Sequence, residues 1–88
     1  MREPNSTEKA KRLLERLLQA VVVQAAQDYR FACRELRRYP HSKYARRLKK
    51  ETESFFRSRD FRVYTRADGV RILKMLEKEM EAEHEKEN

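Results

Sequence analysis

The chain has 88 residues, of which 42% are charged and 39% hydrophobic, and it carries a formal net charge of +7 with one glycine, two prolines and one cysteine. This length suits a single domain over residues 1–88, and so few turn-forming residues argue against a β-sandwich or barrel. A single cysteine excludes an internal disulfide and any zinc site built from the cysteines of one chain.

The distribution of hydrophobic residues argues against a membrane segment. The longest apolar stretch, Ala20–Val23, is far shorter than the ~20 residues that span a bilayer. The first dozen residues are polar and do not resemble a secretory signal. We therefore expect a cytoplasmic protein with no membrane partner.

A long first helix is predicted over residues 6–38, after a flexible start at residues 1–5. Asn5 and Ser6, followed by Glu8, form a helix-start pattern. Apolar residues then recur in steps of three and four, and the first helix breaker is Pro40. The recurring residues are Leu14, Leu17, Leu18, Val21, Ala25, Tyr29, Ala32 and Leu36.

This first helix is longer than the domain it belongs to. At 1.5 Å per residue it measures about 50 Å, whereas a compact domain of this size is roughly 30 Å wide. The helix either kinks at the β-branched residues Val21–Val23 or extends beyond the domain and packs on another molecule. We expect a homodimer, and its predicted interface is formed by Leu14, Leu17, Leu18, Val21 and Val22.

Two shorter helices are predicted after Pro40. Ser42 can cap a second helix that has a basic face and ends or bends at Ser58–Asp60. Thr65 can cap a third helix, whose apolar face comprises Val70, Leu73, Leu76 and Met80. The acidic end of this helix opposes the helix dipole, so residues 84–88 are expected to fray unless basic residues face them. The fold class is thus all-α, with three helices.

Positive charge is concentrated in the middle of the chain. Residues 30–66 contain thirteen basic and four acidic residues, whereas residues 67–88 contain four basic and seven acidic ones. Such a field attracts polyanions or an acidic protein surface. The guanidinium group of arginine can form two parallel hydrogen bonds with a phosphate or a carboxylate. The basic residues on both sides of Pro40 are therefore the predicted binding site. They are Arg30, Arg34, Arg37, Arg38, Lys43, Arg46, Arg47 and Lys50.

Aromatic residues and arginines alternate from Phe55 to Tyr64, and this pattern has two interpretations. If exposed, the run can stack bases and pair with phosphates, as in single-strand binders. Alternatively, Phe55, Phe61 and Tyr64 fill the core between the second and third helices. Phe56 is out of step with the predicted apolar face of the second helix and is therefore predicted to be exposed. That face comprises Tyr44, Leu48, Thr52 and Phe55. The secondary binding candidates are Phe56, Arg57, Arg59 and Arg62.

The sequence offers little for catalysis. His41 lies beside a turn and His84 near the end of the chain, and no glycine-rich phosphate loop is present. Cys33 lies on the apolar side of the first helix, where cysteine acts as a small hydrophobe. We expect neither an enzyme nor a bound metal or cofactor.

Several short motifs resemble those of small uncharacterised proteins encoded by phages and integrated elements of Gram-positive bacteria. In chain order they are Asp28-Tyr29-Arg30, Phe55-Phe56-Arg57-Ser58, and Asp68-Gly69 followed by Ile72-Leu73. The sequence departs from that pattern at Tyr64–Ala67. The resemblance implies action inside a bacterial host cell by binding, either to nucleic acid or to host machinery, including defence effectors such as CRISPR nucleases.

Three functional hypotheses remain open at this point. The first is a phage-type protein that binds nucleic acid or a nucleoprotein complex through the basic residues around Pro40. The second is an anti-CRISPR-like inhibitor of a host defence effector that docks on an acidic protein surface. The third is an oligomeric assembly protein that associates through its first helix.

Overall fold

A computed structural model describes residues 6–59, 61 and 68–87, and over this part of the chain the protein is all-helical. Helix α1 covers Ser6–Arg38, α2 covers Lys43–Arg57 and α3 covers Gly69–Glu87. The predicted all-α fold with a long first helix is confirmed. The predicted flexible start at residues 1–5 and the predicted cap Thr65 lie outside the described residues.

The ends of the helices follow from local hydrogen bonds. The turn between α1 and α2 is closed by the Ser42 amide, which donates to the Tyr39 carbonyl at 3.0 Å. Ser42 then caps α2 as predicted, because its hydroxyl accepts from the Ala45 amide at 3.2 Å. Helix α2 ends at Arg57, where the Ser58 amide donates to the Phe55 carbonyl.

Asp68 caps the described start of α3. Its carboxylate accepts from the amides of Val70 at 3.1 Å and Arg71 at 3.4 Å. A carboxylate at this end of a helix also complements the positive end of the helix dipole. Gly69, the first residue of α3, is buried against Phe56 and Phe61, so the start of α3 approaches the end of α2 closely.

The core lies between the C-terminal half of α1 and the facing sides of α2 and α3. Its buried cluster consists of Ala25, Tyr29, Phe56, Phe61, Leu73, Leu76 and Met80. Three phenylalanine rings meet at one end of this core, with Phe56 5.3 Å from Phe55 and 5.8 Å from Phe61 between ring centroids. Such tilted aromatic pairs add to the stabilisation that burial alone provides.

The core interpretation of the aromatic run is therefore correct for Phe61, which is buried, and for Phe55, which is partly buried. The prediction for Phe56 was wrong, since it is only 1% exposed and is the most buried large side chain of α2. The core-facing side of α2 passes through Ala45, Thr52 and Phe56. The predicted apolar face shares Thr52 with this side but otherwise lies to one side of it, through Tyr44, Leu48 and Phe55. Tyr64 lies outside the described residues.

Helix α1 extends well beyond the core. It is a single helix that continues across Val21–Val23. Every residue from Thr7 to Leu17 is exposed, and the first buried residue is Ala25. The molecule measures 62 × 25 × 19 Å, with a radius of gyration of 16.7 Å, whereas a compact chain of this length would have a radius near ~12 Å.

Candidate polyanion-binding surface

The solvent-facing side of α2 is strongly basic. Because Ala45, Thr52 and Phe56 turn towards the core, residues at the opposite angle of the helix face water. Four cations occupy this side at spacings of three and four residues, and all four are exposed: Lys43, Arg46, Arg47 and Lys50. We call these four residues the basic face of α2.

A fifth cation and two aromatic rings lie where α1 ends and α2 begins. Arg38, the last residue of α1, is exposed. Tyr39 and Tyr44 are also exposed, and Tyr44 is 67% accessible although its position had predicted a core residue. Arg46 is held against the turn between the two helices, since its Nη2 donates to the Pro40 carbonyl at 3.0 Å. Cations and stackable rings are thus adjacent along the chain.

Three of the predicted binding arginines have a different role. Arg30 Nε lies 3.0 Å from a carboxylate oxygen of Glu79. Arg34 donates from Nε and Nη2 to Glu83, and its shortest contact is 2.9 Å. This fork geometry is the one in which arginine pairs most specifically with a carboxylate.

Arg37 is the most enclosed of the three, with a side chain that is 16% exposed. Its Nη1 contacts Glu83 at 3.1 Å and Glu87 at 3.3 Å, and its Nη2 donates to the Met80 carbonyl. The three arginines therefore pair α1 with the acidic side of α3. They are not free to bind an external anion without first giving up these partners.

This pairing also explains the end of α3. The helix continues through Glu87, so the predicted frayed segment is helical over residues 84–87. The sequence predicted an ordered end only if basic residues face it. Arg34 and Arg37 do face Glu83 and Glu87 across the two helices. Hydrogen bonding from Arg34, followed by the charges of Arg34 and Arg37, lowers the pKa of Glu83 below its ordinary value.

The other five predicted binding residues are not paired with glutamates in this way. Among the described residues, none of them forms an ion pair with a carboxylate. They are Arg38, Lys43, Arg46, Arg47 and Lys50. The structure thus divides the eight predicted residues into three that stabilise the fold and five that present uncompensated charge to solvent.

The secondary binding candidates also differ in their exposure to solvent. Phe56 is buried and cannot contact a ligand. Arg57 is exposed at the end of α2, 3.8 Å from Glu53 one turn earlier, which is a weak surface ion pair. Arg59 is exposed, and Arg62 lies outside the described residues. Tyr44 was missed as a surface residue because its spacing from Leu48 and Thr52 also fits an apolar helix face.

An open groove lies between the three helices. Its lining includes Tyr29, Cys33, Arg37, Lys49 and Glu53. Burial raises the pKa values of both the Tyr29 hydroxyl and the Cys33 thiol, so neither group is activated towards deprotonation. In the part of the chain that the structure describes, no group of three or more histidine, cysteine, aspartate or glutamate residues could hold a metal ion.

Comparison with known proteins found no matching family model, no matching curated protein and no matching solved structure. None of the helices in the described ranges is both long enough and apolar enough to cross a bilayer.

Proposed function

We propose that this protein is a non-enzymatic binding protein that contacts the phosphate backbone of nucleic acid through the basic face of α2 and Arg38. The observation that supports this proposal is the difference between the two groups of arginines. Those on the α3 side of α1 are paired with glutamates, whereas the basic face of α2 has no carboxylate partner among the described residues. Phosphates supply that missing negative charge.

The expected mechanism is electrostatic. Each cation that neutralises a phosphate releases a condensed counterion, so the logarithm of the affinity falls by about 0.9 per duplex phosphate contact for each logarithmic unit of salt. Five cations that each reach one phosphate would give a slope of roughly −4 to −5. Tyr39 and Tyr44, which are exposed beside these cations, add ring faces on which unpaired bases can stack. We therefore propose a preference for single-stranded segments.

The origin and the cellular site of action belong to this same proposal. The resemblance of the short motifs to those of phage and integrated-element proteins supports an accessory protein that acts in the cytoplasm of a bacterial host. Nucleic acid and nucleoprotein complexes are both accessible there to a small basic protein.

Fluorescence anisotropy with labelled single- and double-stranded DNA and RNA, measured across a salt series, tests the proposal. The double substitution Arg47→Gln/Lys50→Gln is expected to weaken binding and to make the salt slope shallower by about two. Lys74→Gln/Lys78→Gln is the matched control, because it removes the same charge from two exposed residues of α3. This control should retain most of the affinity.

A second comparison separates free from paired arginines. Arg47→Gln and Arg34→Gln remove one charge each, but only Arg34 is already bound to a carboxylate, Glu83. We expect the larger loss of affinity from Arg47→Gln. Equal losses, or no binding of any nucleic acid at moderate salt, would contradict the proposal. The partner to test next would then be an acidic protein surface, such as that of a host defence effector.

A further inference from the structure

The N-terminal part of α1 carries an apolar stripe that nothing in the described chain covers. Leu14, Leu17 and Val21 follow each other at spacings of three and four residues, and Leu17 is 56% exposed. We call residues 6–20 of α1 the overhang. An unsupported helix of ~15 residues is only marginally stable in water, because most helical stability in proteins comes from packing of the apolar face.

The exposed area is large enough for a stable interface. The chain exposes 7700 Å², whereas a compact monomer of 10.7 kDa would expose about 5,500 Å². The excess of roughly 2,200 Å² exceeds the ~800 Å² that each partner contributes to a standard interface. The elongated chain thus leaves more surface open to a second molecule than a standard interface requires.

The same chain carries a groove that suits the overhang. Where α1 meets α2, a shallow groove of about 290 Å³ begins at Val21, the last residue of the stripe. Its lining is mostly apolar, through Ala25, Leu48 and Phe55. The groove and the stripe thus form one continuous apolar surface along α1.

The charges beside the groove and beside the stripe are opposite. The charged residues that line the groove are both acidic, Asp28 and Glu51. The overhang carries four basic and two acidic residues, and the basic ones flank its leucines: Lys9, Lys11, Arg12 and Arg16. Opposite charges at the edge of an apolar contact favour that pairing over a pairing of two overhangs alone.

We propose that a second copy of this chain is the occupant, in an antiparallel dimer where the overhang of each copy lies in the groove of the other. A two-fold axis at the level of residues 19–20 of α1 places each overhang in the groove of the other copy at the same time. Residues before the axis on one copy then face residues after the axis on the other. Such an isologous interface is closed and limits assembly to two chains. This inference does not depend on nucleic-acid binding by α2.

Sedimentation velocity over a concentration series tests the dimer. Leu17→Glu is expected to raise the dimer dissociation constant at least ~30-fold, because the interface contains the substituted residue twice. Val23→Glu is the matched control. Val23 is also 56% exposed, but it lies about 160° around the helix from Val21 and should leave the dimer intact. Circular dichroism should show the core helices folded in both variants.

A mixing experiment tests the contact between overhang and groove directly. A spin label is attached to Glu15→Cys in a Cys33→Ser background, and this chain is mixed with ¹⁵N-labelled parent chain. Glu15 is exposed and lies at least 100° around the helix from each residue of the stripe. The proposal predicts line broadening at the amides of Leu48 and Thr52 in the ¹⁵N-labelled copy. A monomer at all concentrations, an assembly that grows beyond two chains, a dimer insensitive to Leu17→Glu, or no broadening in the groove would each overturn it.

Discussion

Replacing Gly69, the only glycine of the chain, by alanine should destabilise the protein, although helix propensity alone predicts the opposite. Gly69 begins α3 directly against the end of α2. A Cβ atom at this position would overlap the carbonyl oxygen of Phe56, and it would lie 2.9 Å from Cδ1 of Phe61 and 3.0 Å from the carbonyl carbon of Phe56. Ordinary Cβ contacts begin near 3.4 Å, so α2 and α3 would have to separate.

The magnitude follows from two opposing effects. Alanine is favoured over glycine inside a helix by about 0.5–1 kcal/mol. Overpacking of a tightly packed site costs about 1–3 kcal/mol, and here the cost lies at the upper end because the obstructing atoms belong to the backbone of α2. We expect a net loss of about 2 kcal/mol, which corresponds to a decrease in Tm of roughly 8–16 °C for a domain of this size.

Urea unfolding followed by circular dichroism at 222 nm measures this change. Ser54→Ala is the control, because Ser54 is exposed in the last turn of α2 and gains helix propensity without a new contact. Its stability should stay within about 0.5 kcal/mol of the parent. A Gly69→Ala variant as stable as the parent, or more stable, would refute the close packing of α3 against α2.

Two further predictions concern the core and the ion pairs. Phe56→Ala should cost about 3–5 kcal/mol in urea unfolding, and Phe55→Ala should cost less because its ring is only partly buried; the reverse order would contradict the burial of Phe56. Glu83→Gln should be less stable than the parent at pH 7. Arg34 and Arg37 lower the pKa of Glu83 in the folded state, so the stability that its carboxylate contributes is present above its ordinary value of 4.5 and is lost as the pH falls through the folded-state pKa. Unfolding measured from pH 7 to pH 3 should therefore show the difference between the two proteins shrinking as the pH falls below 4.5, and a constant difference would argue against this pairing.

The sequence determined the helices of this protein because their signals are local. The scarcity of glycine and proline, the apolar spacing along α1 and the cap at Ser42 each act within a few residues. They predicted the helical class, the 6–38 extent of the first helix and the start of α2. The apolar stripe on the overhang could also be predicted from the sequence, since Leu14, Leu17 and Val21 share one side of any straight helix. Whether a second copy covers that stripe remains a prediction.

Only the tertiary structure decided how the charges are used. Arg34 and Arg47 look alike in sequence, yet Arg34 meets Glu83, a residue 49 positions away, while Arg47 faces solvent. Local pattern carries no information on such a pairing, because it depends on how α3 folds back along α1. Phe55 and Phe56 are a similar case, because they are neighbours in sequence and the rotation of α2 about its axis decides which of the two rings is fully buried. Close packing of Gly69, at the start of α3, on Phe56, at the end of α2, accompanies the rotation that buries Phe56 and turns the basic face of α2 towards solvent.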